Sequence, residues 1–203
     1  MAKRVLLIVG DFVEDYEVMV PFQMLQMVGC QADAVCPDKS AGDNVATAIH
    51  DFEGFQTYTE KRGHQFQLNV NFADAKVEDY DALLLPGGRS PEYLRVDDRV
   101  LTLVKAFAAT DKPIAATCHA AMILAAADVI RGRRCQAYPA CRPDVELAGG
   151  IWDEPSAGLD SVCVDRDASE ASTQGPLITA PAWPANGPWV RALLDTLGVR
   201  IES

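Results

Sequence analysis

The sequence has no cluster of basic residues. Its 203 residues include 18 lysines and arginines against 29 acidic residues, which gives a net charge of −11. Nucleic acid and anionic lipid surfaces are bound by concentrated positive charge. The composition therefore argues against both classes of partner, and we predict neither a nucleic-acid partner nor a membrane partner.

Long hydrophobic runs are also absent. No segment reaches the roughly 20 apolar residues that cross a bilayer. The basic pair Lys3 and Arg4 and the apolar run at 5–9 have the form of a signal peptide. That run is too short, however, and no small-residue cleavage site follows it. We predict a cytoplasmic protein.

Metal and nucleotide motifs are missing as well. The six cysteines are spread along the chain without CxxC or Cys/His spacing, which argues against a zinc site and a disulfide scaffold. Neither GxGxxG nor GxxxxGK[ST] is present, so nucleotide binding has no support. We predict reduced thiols, no metal and no cofactor.

Apolar runs alternate with amphipathic stretches. We predict strands at 5–9, 32–36, 81–85, 113–117, 161–164 and 177–180, and helices at 18–28, 91–109, from 119 onward and at 189–197. This alternation predicts an α/β fold: a three-layer sandwich with a mostly parallel central sheet covered by helices on both faces. Residues 40–72 break the rhythm and predict a small β-ribbon insertion in a single domain, 1–203. Residues 165–176 are polar and rich in turn formers, which predicts a surface loop.

A candidate nucleophile stands where one predicted strand ends. The stretch PIAATCHAA (113–121) turns from an apolar run directly into an alanine-rich helix, with Cys118 at the turn. Such a turn exposes its side chain on top of the sheet, and the helix N-terminus lowers the pKa of a thiol there. A small cysteine buried behind the sheet is the alternative. Because ligands bind beyond the carboxyl ends of parallel strands, Gly10-Asp11 and Pro86-Gly87-Gly88 are expected to meet Cys118 in one crevice.

Three motifs in this order carry a family resemblance over essentially the whole chain. They are GDFVEDYE (10–17), PGGRSPE (86–92) and ATCH (116–119). Together they resemble the PfpI-like superfamily, which includes the parkinsonism-associated deglycase and has a sandwich similar to class I glutamine amidotransferases. The segments DYEVMVPFQ, HDFEG (50–54) and GRRCQAY (132–138) are most similar to plant-type, glutathione-independent glyoxalases. Those plant proteins carry two such units in tandem, where this chain has one.

The resemblance implies roles for residues around the turn. Cys118 is the nucleophile, and the Glu17 carboxyl lies against its thiol, so that the two groups share a proton and Glu17 has a raised pKa. The backbone N–H groups of Gly88 and His119 stabilise an oxyanion. The His119 ring either transfers protons or only orients the substrate.

Further positions receive weaker roles. Glu92 either completes a Cys-His-Glu triad across a subunit interface, as proposed for the peptidase branch, or is an acid at the start of a helix. Arg89 pairs with a carboxylate or a neighbouring subunit. Gly87, His50 and Trp183 line the pocket, although core packing also explains His50 and Trp183.

Two positions depart from the family pattern. Many relatives have glycine where this chain has Ala120, and relatives often have histidine in the loop where it has Asn186. We expect Ala120 to crowd the packing of helix and strand, and Asn186 to change a substrate contact.

The resemblance implies a cofactor-independent glyoxalase that converts methylglyoxal or glyoxal to lactate or glycolate. Its partner is a small dicarbonyl substrate, and a homo-oligomer is expected. A cysteine peptidase or amidase, a protein deglycase, and a redox-sensing stress protein remain alternatives.

Overall fold

The apolar runs form a sheet that is buried on both faces. The computed structural model describes residues 2–166 and 174–200; residues 167–173 of the predicted polar loop lie outside the described residues. The strands are β1 (Arg4–Ile8), β2 (Val13–Glu14), β3 (Gln31–Val35), β4 (Asn44–Asp51), β5 (Thr59–Gln67), β6 (Ala82–Leu85), β7 (Ile114–Thr117), β8 (Arg134–Cys135), β9 (Ile151–Trp152), β10 (Cys163–Asp165) and β11 (Leu177–Ala180).

The central sheet has the order β10-β11-β7-β6-β1-β3. Its pairs are parallel, except that the edge strand β10 runs antiparallel to β11. β6 and β7 are neighbours, so the turns that follow them emerge side by side at one edge. The mostly parallel sheet predicted from the sequence is confirmed.

Helices cover both faces of this sheet. They are α1 (Asp15–Met27), α2 (Ser90–Leu94), α3 (Asp98–Ala108), α4 (Ala121–Ala126), α5 (Arg142–Leu147) and α6 (Asn186–Thr196). α1 and α6 pack on one face and α2 to α5 on the other. In the described parts of the chain, no helix combines the length and the apolar character that a bilayer crossing requires.

Successive residues of the inner strands supply opposite cores. In β6, Leu84 packs with the Trp189 side of the sheet, while Leu83 and Leu85 pack with the Phe107 side. All three leucines are fully buried. A strand covered on both faces therefore has no polar position, which explains the continuous apolar runs.

The predicted insertion is a hairpin of β4 and β5, and β2 pairs with β4 to complete a three-stranded sheet. Asp15, at the start of α1, anchors it: the carboxylate accepts hydrogen bonds from the Thr47 hydroxyl and from the backbone and ring N–H groups of His64. The hairpin is thereby held over the edge of the sheet where β6 and β7 end.

Two predicted helices differ from those observed. The helix expected over 91–109 is wrong, because it is broken into α2 and α3 by Asp97, whose extended backbone and side chain cap α3. The helix expected from His119 starts later, since Cys118–Ala120 forms a 3₁₀ turn before α4.

The buried leucines predict a large difference between two identical substitutions. Leu84→Ala should lower the free energy of unfolding by about 2–5 kcal/mol, because Leu84 is fully buried in a packed core. Leu147→Ala, at a side chain that is 87% exposed, should change it by less than about 0.5 kcal/mol. Urea unfolding of both variants measures the difference, and equal losses would contradict the two-sided core.

Candidate active site

Cys118 occupies a left-handed backbone turn between β7 and the 3₁₀ turn. Its φ is +56°, a conformation that L-residues rarely adopt outside functional turns. The side chain is only 8% exposed. The exposed position expected from the turn alone is therefore wrong, because rings from other segments cover the thiol.

The glycine pair after β6 lets the neighbouring backbone approach the thiol. A Cβ atom on Gly87 would lie 2.5 Å from Cys118 Cβ and 2.7 Å from Glu17 Oε2. Gly88 has a φ of +73°, and a Cβ there would lie 2.3 Å from the Glu14 backbone nitrogen. Neither position has room for a side chain.

Glu17 is completely buried beside Cys118. Its Oε2 atom accepts a hydrogen bond of 2.8 Å from the Gly87 N–H, and the carboxyl also hydrogen bonds with the Cys118 thiol and the Trp183 backbone. Glu14 caps the same helix by accepting 2.8 Å from the Glu17 N–H, and its carboxyl also accepts from the backbone N–H of His50. Two carboxyl groups thus meet at the start of α1.

Burial changes the proton affinity of both carboxyl groups. It raises the pKa of Glu14 from 4.5 to about 7, because the charged form loses its hydration. It raises the pKa of Glu17 well above its usual range, and the nearby Glu14 charge adds to this. Burial therefore gives the Glu17 carboxyl a high proton affinity beside the thiol.

Burial also raises the proton affinity of the Cys118 thiol. Burial raises the pKa of Cys118 well above its usual range and the charge of Glu17 raises it further, although the Gly88 and His119 amides oppose the change. The lowered thiol pKa predicted from the helix N-terminus is wrong. The local helix is short, and its dipole is outweighed by the loss of water and by the adjacent carboxyl.

The His119 ring contacts the thiol directly. Its Nδ1 atom lies 3.2 Å from Cys118 Sγ, and the ring stacks on Tyr138 with 5.1 Å between centroids. Burial lowers the pKa of His119 to about 4, so the ring is neutral at pH 7. Cysteine and histidine therefore form no ion pair at rest.

Aromatic side chains close the space above the thiol. The remaining cavity measures about 10 Å³, which is room for about one water molecule. Phe52 lies nearly parallel to both Tyr138 and Trp183, with 6.3 Å and 5.9 Å between centroids. The lining residues are Glu14, Glu17, His50, Phe52, Tyr58, Gly88, Cys118, His119, Tyr138, Ala182 and Trp183.

Other predicted residues lie further out. Glu92 is exposed on α2 and hydrogen bonds to neither Cys118 nor His119 within the described residues. Arg89 forms an ion pair with Glu60 of the hairpin. Gly10 and Asp11 do not enter the crevice but pack against Tyr93, whose hydroxyl donates to the Asp11 carbonyl.

The two departures from the family pattern lie at packed positions. Ala120 is fully buried in the core on the Phe107 side of the sheet, and the crowding expected from its methyl group stays a prediction. Asn186 donates from Nδ2 to the Tyr16 carbonyl and ties α6 to α1. Within the part of the chain that the structure describes, it is not among the residues that line the cavity, and the altered substrate contact expected there stays a prediction.

Four residues of the cavity wall, Glu14, Phe52, Tyr58 and Tyr138, were not predicted as site residues from the sequence. Phe52 and Tyr138 stand in the segments that carry the family resemblance, and Glu14 stands three residues before Glu17, a spacing typical of helix caps. Within 2–166 and 174–200, no group of three or more His, Cys, Asp or Glu side chains is arranged to hold a metal ion.

The contact between Gly87 and Cys118 predicts an intolerant position. Gly87→Ala should lower the free energy of unfolding by about 1–3 kcal/mol, because the added methyl overlaps Cys118 and Glu17. Gly187→Ala, where an added Cβ has no atom within 4 Å, is the matched control and should be neutral or stabilising. Urea unfolding measures the free energy of unfolding of both variants, and a Gly87→Ala protein as stable as wild type would contradict this packing.

The raised pKa of Glu14 predicts a pH dependence of stability. The folded protein binds the Glu14 proton more tightly than the unfolded chain does. The stabilisation that this proton gives to the folded state is therefore complete below about pH 4.5 and is lost as the pH rises through about 7. The shift corresponds to as much as about 3 kcal/mol. Glu14→Gln keeps an oxygen that can cap α1, so it should lose less stability than wild type between pH 5 and pH 8 in urea unfolding. Equal slopes would contradict the shift.

Known proteins share both sequence and fold with this chain. The chain is 52% identical over 200 residues to Protein DJ-1 homolog D of Arabidopsis thaliana, covering 98% of this chain and 49% of that protein. It thus spans about half the length of this relative. It is also 31% identical to a protein of Pyrococcus horikoshii named as a deglycase, covering 77% of this chain and 85% of that protein.

Solved structures share the fold. A two-domain protein of Anabaena variabilis with DJ-1/ThiJ/PfpI-like and ferritin-like domains aligns with a TM-score of 0.77 at 22% identity, over 99% of this chain and 51% of that one. Schizosaccharomyces pombe DJ-1 aligns with a TM-score of 0.71 at 18% identity, over 96% of this chain and 91% of that one. The sequence pattern of the DJ-1/PfpI family matches residues 3–196. The resemblance carried by the three motifs is therefore confirmed, and the chain belongs to the DJ-1/PfpI family.

Proposed function

We propose that the protein is a cofactor-independent glyoxalase that converts methylglyoxal or glyoxal to lactate or glycolate. One observation carries the proposal: a thiol and a protonatable carboxyl are buried together at the floor of a closed, aromatic-walled cavity. A 1,2-dicarbonyl needs a nucleophile for one carbon and a base that moves a proton between the two carbons. Cys118 and Glu17 are placed to supply them.

The reactive state has one proton between thiol and carboxylate. The sulfur forms a bond to the aldehyde carbon while the carbonyl π pair moves to the first oxygen, which receives the thiol proton through Glu17. The Glu17 carboxylate then removes the hydrogen on that carbon, a double bond forms between the two carbons, and the second oxygen gains a proton. The Gly88 and His119 amides, which face the sulfur, are available to the first oxygen.

Glu17 next returns its proton to the second carbon, and the first oxygen loses its own, which leaves a thioester. Water adds to the thioester carbon, the carbon–sulfur bond breaks and the thiol regains a proton. The sum is one dicarbonyl and one water consumed for one hydroxy acid formed. The raised pKa of Glu17 suits this work, because a base that takes a carbon-bound proton gains from high proton affinity.

The closed cavity favours a small substrate over a polypeptide. A peptide bond cannot reach Cys118 through this closed wall, whereas a dicarbonyl is far smaller, and we expect it to enter past Phe52, the exposed ring of the wall at 42%. Burial and the raised thiol pKa also work against the redox-sensor alternative, since cysteine oxidation follows exposure and thiolate character. We also propose that the protein forms a homo-oligomer, as the resemblance to the family implies.

Deglycase activity is the second candidate, favoured by the name of the Pyrococcus relative. It would use the same thiol on an adduct already attached to an amine. Recovery of the free amine on a methylglyoxal-treated peptide, measured with a dicarbonyl scavenger present, separates it from simple removal of free methylglyoxal.

The proposal predicts a separation between thiol reactivity and turnover. Wild type should form lactate from methylglyoxal without glutathione or metal, and Cys118→Ser and Glu17→Gln should each lose at least about 10²–10⁴-fold. Glu17→Gln should still be alkylated at Cys118 by iodoacetamide at least as fast as wild type, because the charge of Glu17 raises the thiol pKa. Cys30→Ser and the exposed Glu78→Gln are matched controls with full activity. No lactate above the mutant level would end the glyoxalase proposal.

A further inference from the structure

One proton of the proposed reaction lacks a carrier. While Glu17 moves a proton between carbons, the second oxygen gains a proton and the first oxygen later loses one. Glu17 cannot hold both protons at once. The neutral His119 ring is committed to the sulfur through Nδ1 and to the face of Tyr138. A further proton-carrying group must border the same cavity.

His50, near the end of β4, lies in the cavity wall. Its side chain is 7% exposed. Its backbone is fixed on both sides, because the carbonyl accepts 3.0 Å from Trp183 Nε1 and the N–H donates to the Glu14 carboxyl. The imidazole is thus buried and rigidly placed among groups that belong to the site.

A charged pair holds the ring from the outer side. His50 Nε2 lies 3.0 Å from Glu60 Oε2. Arg89, next to the Gly87-Gly88 turn, donates 2.6 Å and 2.8 Å to the two oxygens of Glu60 and stacks over Phe12 at 4.6 Å. The guanidinium lowers the pKa of Glu60 and keeps it ionised. Nε2 therefore carries a hydrogen, and Nδ1 is left for a group in the cavity.

We propose that His50 is a further catalytic residue, the carrier of the oxygen-bound proton, and that Glu60, held by Arg89, is its positioning residue. This inference rests on the proposed glyoxalase function. The protonated ring gives its Nδ1 proton to the second oxygen as Glu17 takes the hydrogen from carbon. The neutral ring then receives the proton of the first oxygen as Glu17 protonates the second carbon. His50 ends the cycle in its starting form.

The surroundings of the ring make Glu60 its main charged neighbour. Tyr58 meets it edge-on at 5.0 Å between centroids, and burial raises the pKa of that phenol to about 12. His119 is neutral at pH 7, and Glu14 contacts the His50 backbone. Removal of the Glu60 charge should thus act on the ring more than any other single change.

The first test compares two histidines that each contact a carboxylate. His50→Gln should lower kcat for lactate formation about 10²-fold with KM within about threefold, and Cys118 alkylation should keep the wild-type rate. His64→Gln, at a ring that contacts Asp15 but is 74% exposed, is the matched control and should leave kcat unchanged. Exogenous imidazole should recover activity in His50→Ala. Normal kcat in His50→Gln, or loss of alkylation together with kcat, would overturn the role.

The second test uses Glu60→Gln, which keeps an acceptor for Nε2 but removes the charge. Because the ring loses the charge that holds its Nε2 side, kcat should fall about tenfold with KM within about threefold, while Cys118 alkylation keeps the wild-type rate. An unchanged kcat, or a loss of alkylation together with kcat, would overturn the positioning role. If wild type itself forms no lactate, the glyoxalase function fails; if wild type is active and both variants match it, only the role of His50 fails.

Discussion

The buried Glu17 carboxyl is the group on which the rest of the site depends. It accepts a hydrogen bond from the Gly87 amide and lies against the Cys118 thiol, so one side chain joins the start of α1, the turn after β6 and the turn after β7. A buried carboxyl of this kind is stable mainly in its protonated form. The core around it therefore raises the proton affinity of a carboxyl next to the sulfur, and the proposed removal of a carbon-bound proton needs a base of that kind.

The hairpin of β4 and β5 gives this otherwise common sheet its closed cavity. It supplies Phe52 and Tyr58 to the wall, and it is held to α1 through Asp15. Glu60 of the hairpin and Arg89, with which it forms an ion pair, lie near water, while the His50 side chain is buried. The hairpin thus keeps the charge of Glu60 paired near water and places aromatic rings in the wall of the cavity.

The sandwich and the position of Cys118 could be predicted because they follow from local patterns. β11 at Leu177–Ala180 was predicted with its observed bounds, since a short, mostly apolar run is typical of a strand buried on both faces, and its Thr179 hydroxyl accepts from the Gln136 N–H. The division of 91–109 into α2 and α3 was missed, because the cap at Asp97 competes with a periodic apolar face that continues beyond it. The convergence of the glycine pair and Cys118 followed from parallel strand order.

The sequence by itself determined the strands of the central sheet, the turn that carries Cys118 and the motifs that place the chain in its family. It did not show β2, β8, β9, α5 or the break between α2 and α3. Only the tertiary structure decided that the thiol is covered, that its pKa is raised and not lowered, and that His50 is held by Glu60 and Arg89. The reason is physical: backbone turns and apolar periodicity act between near neighbours in the chain. Desolvation and ion pairing, by contrast, depend on the side chains that distant segments bring into contact.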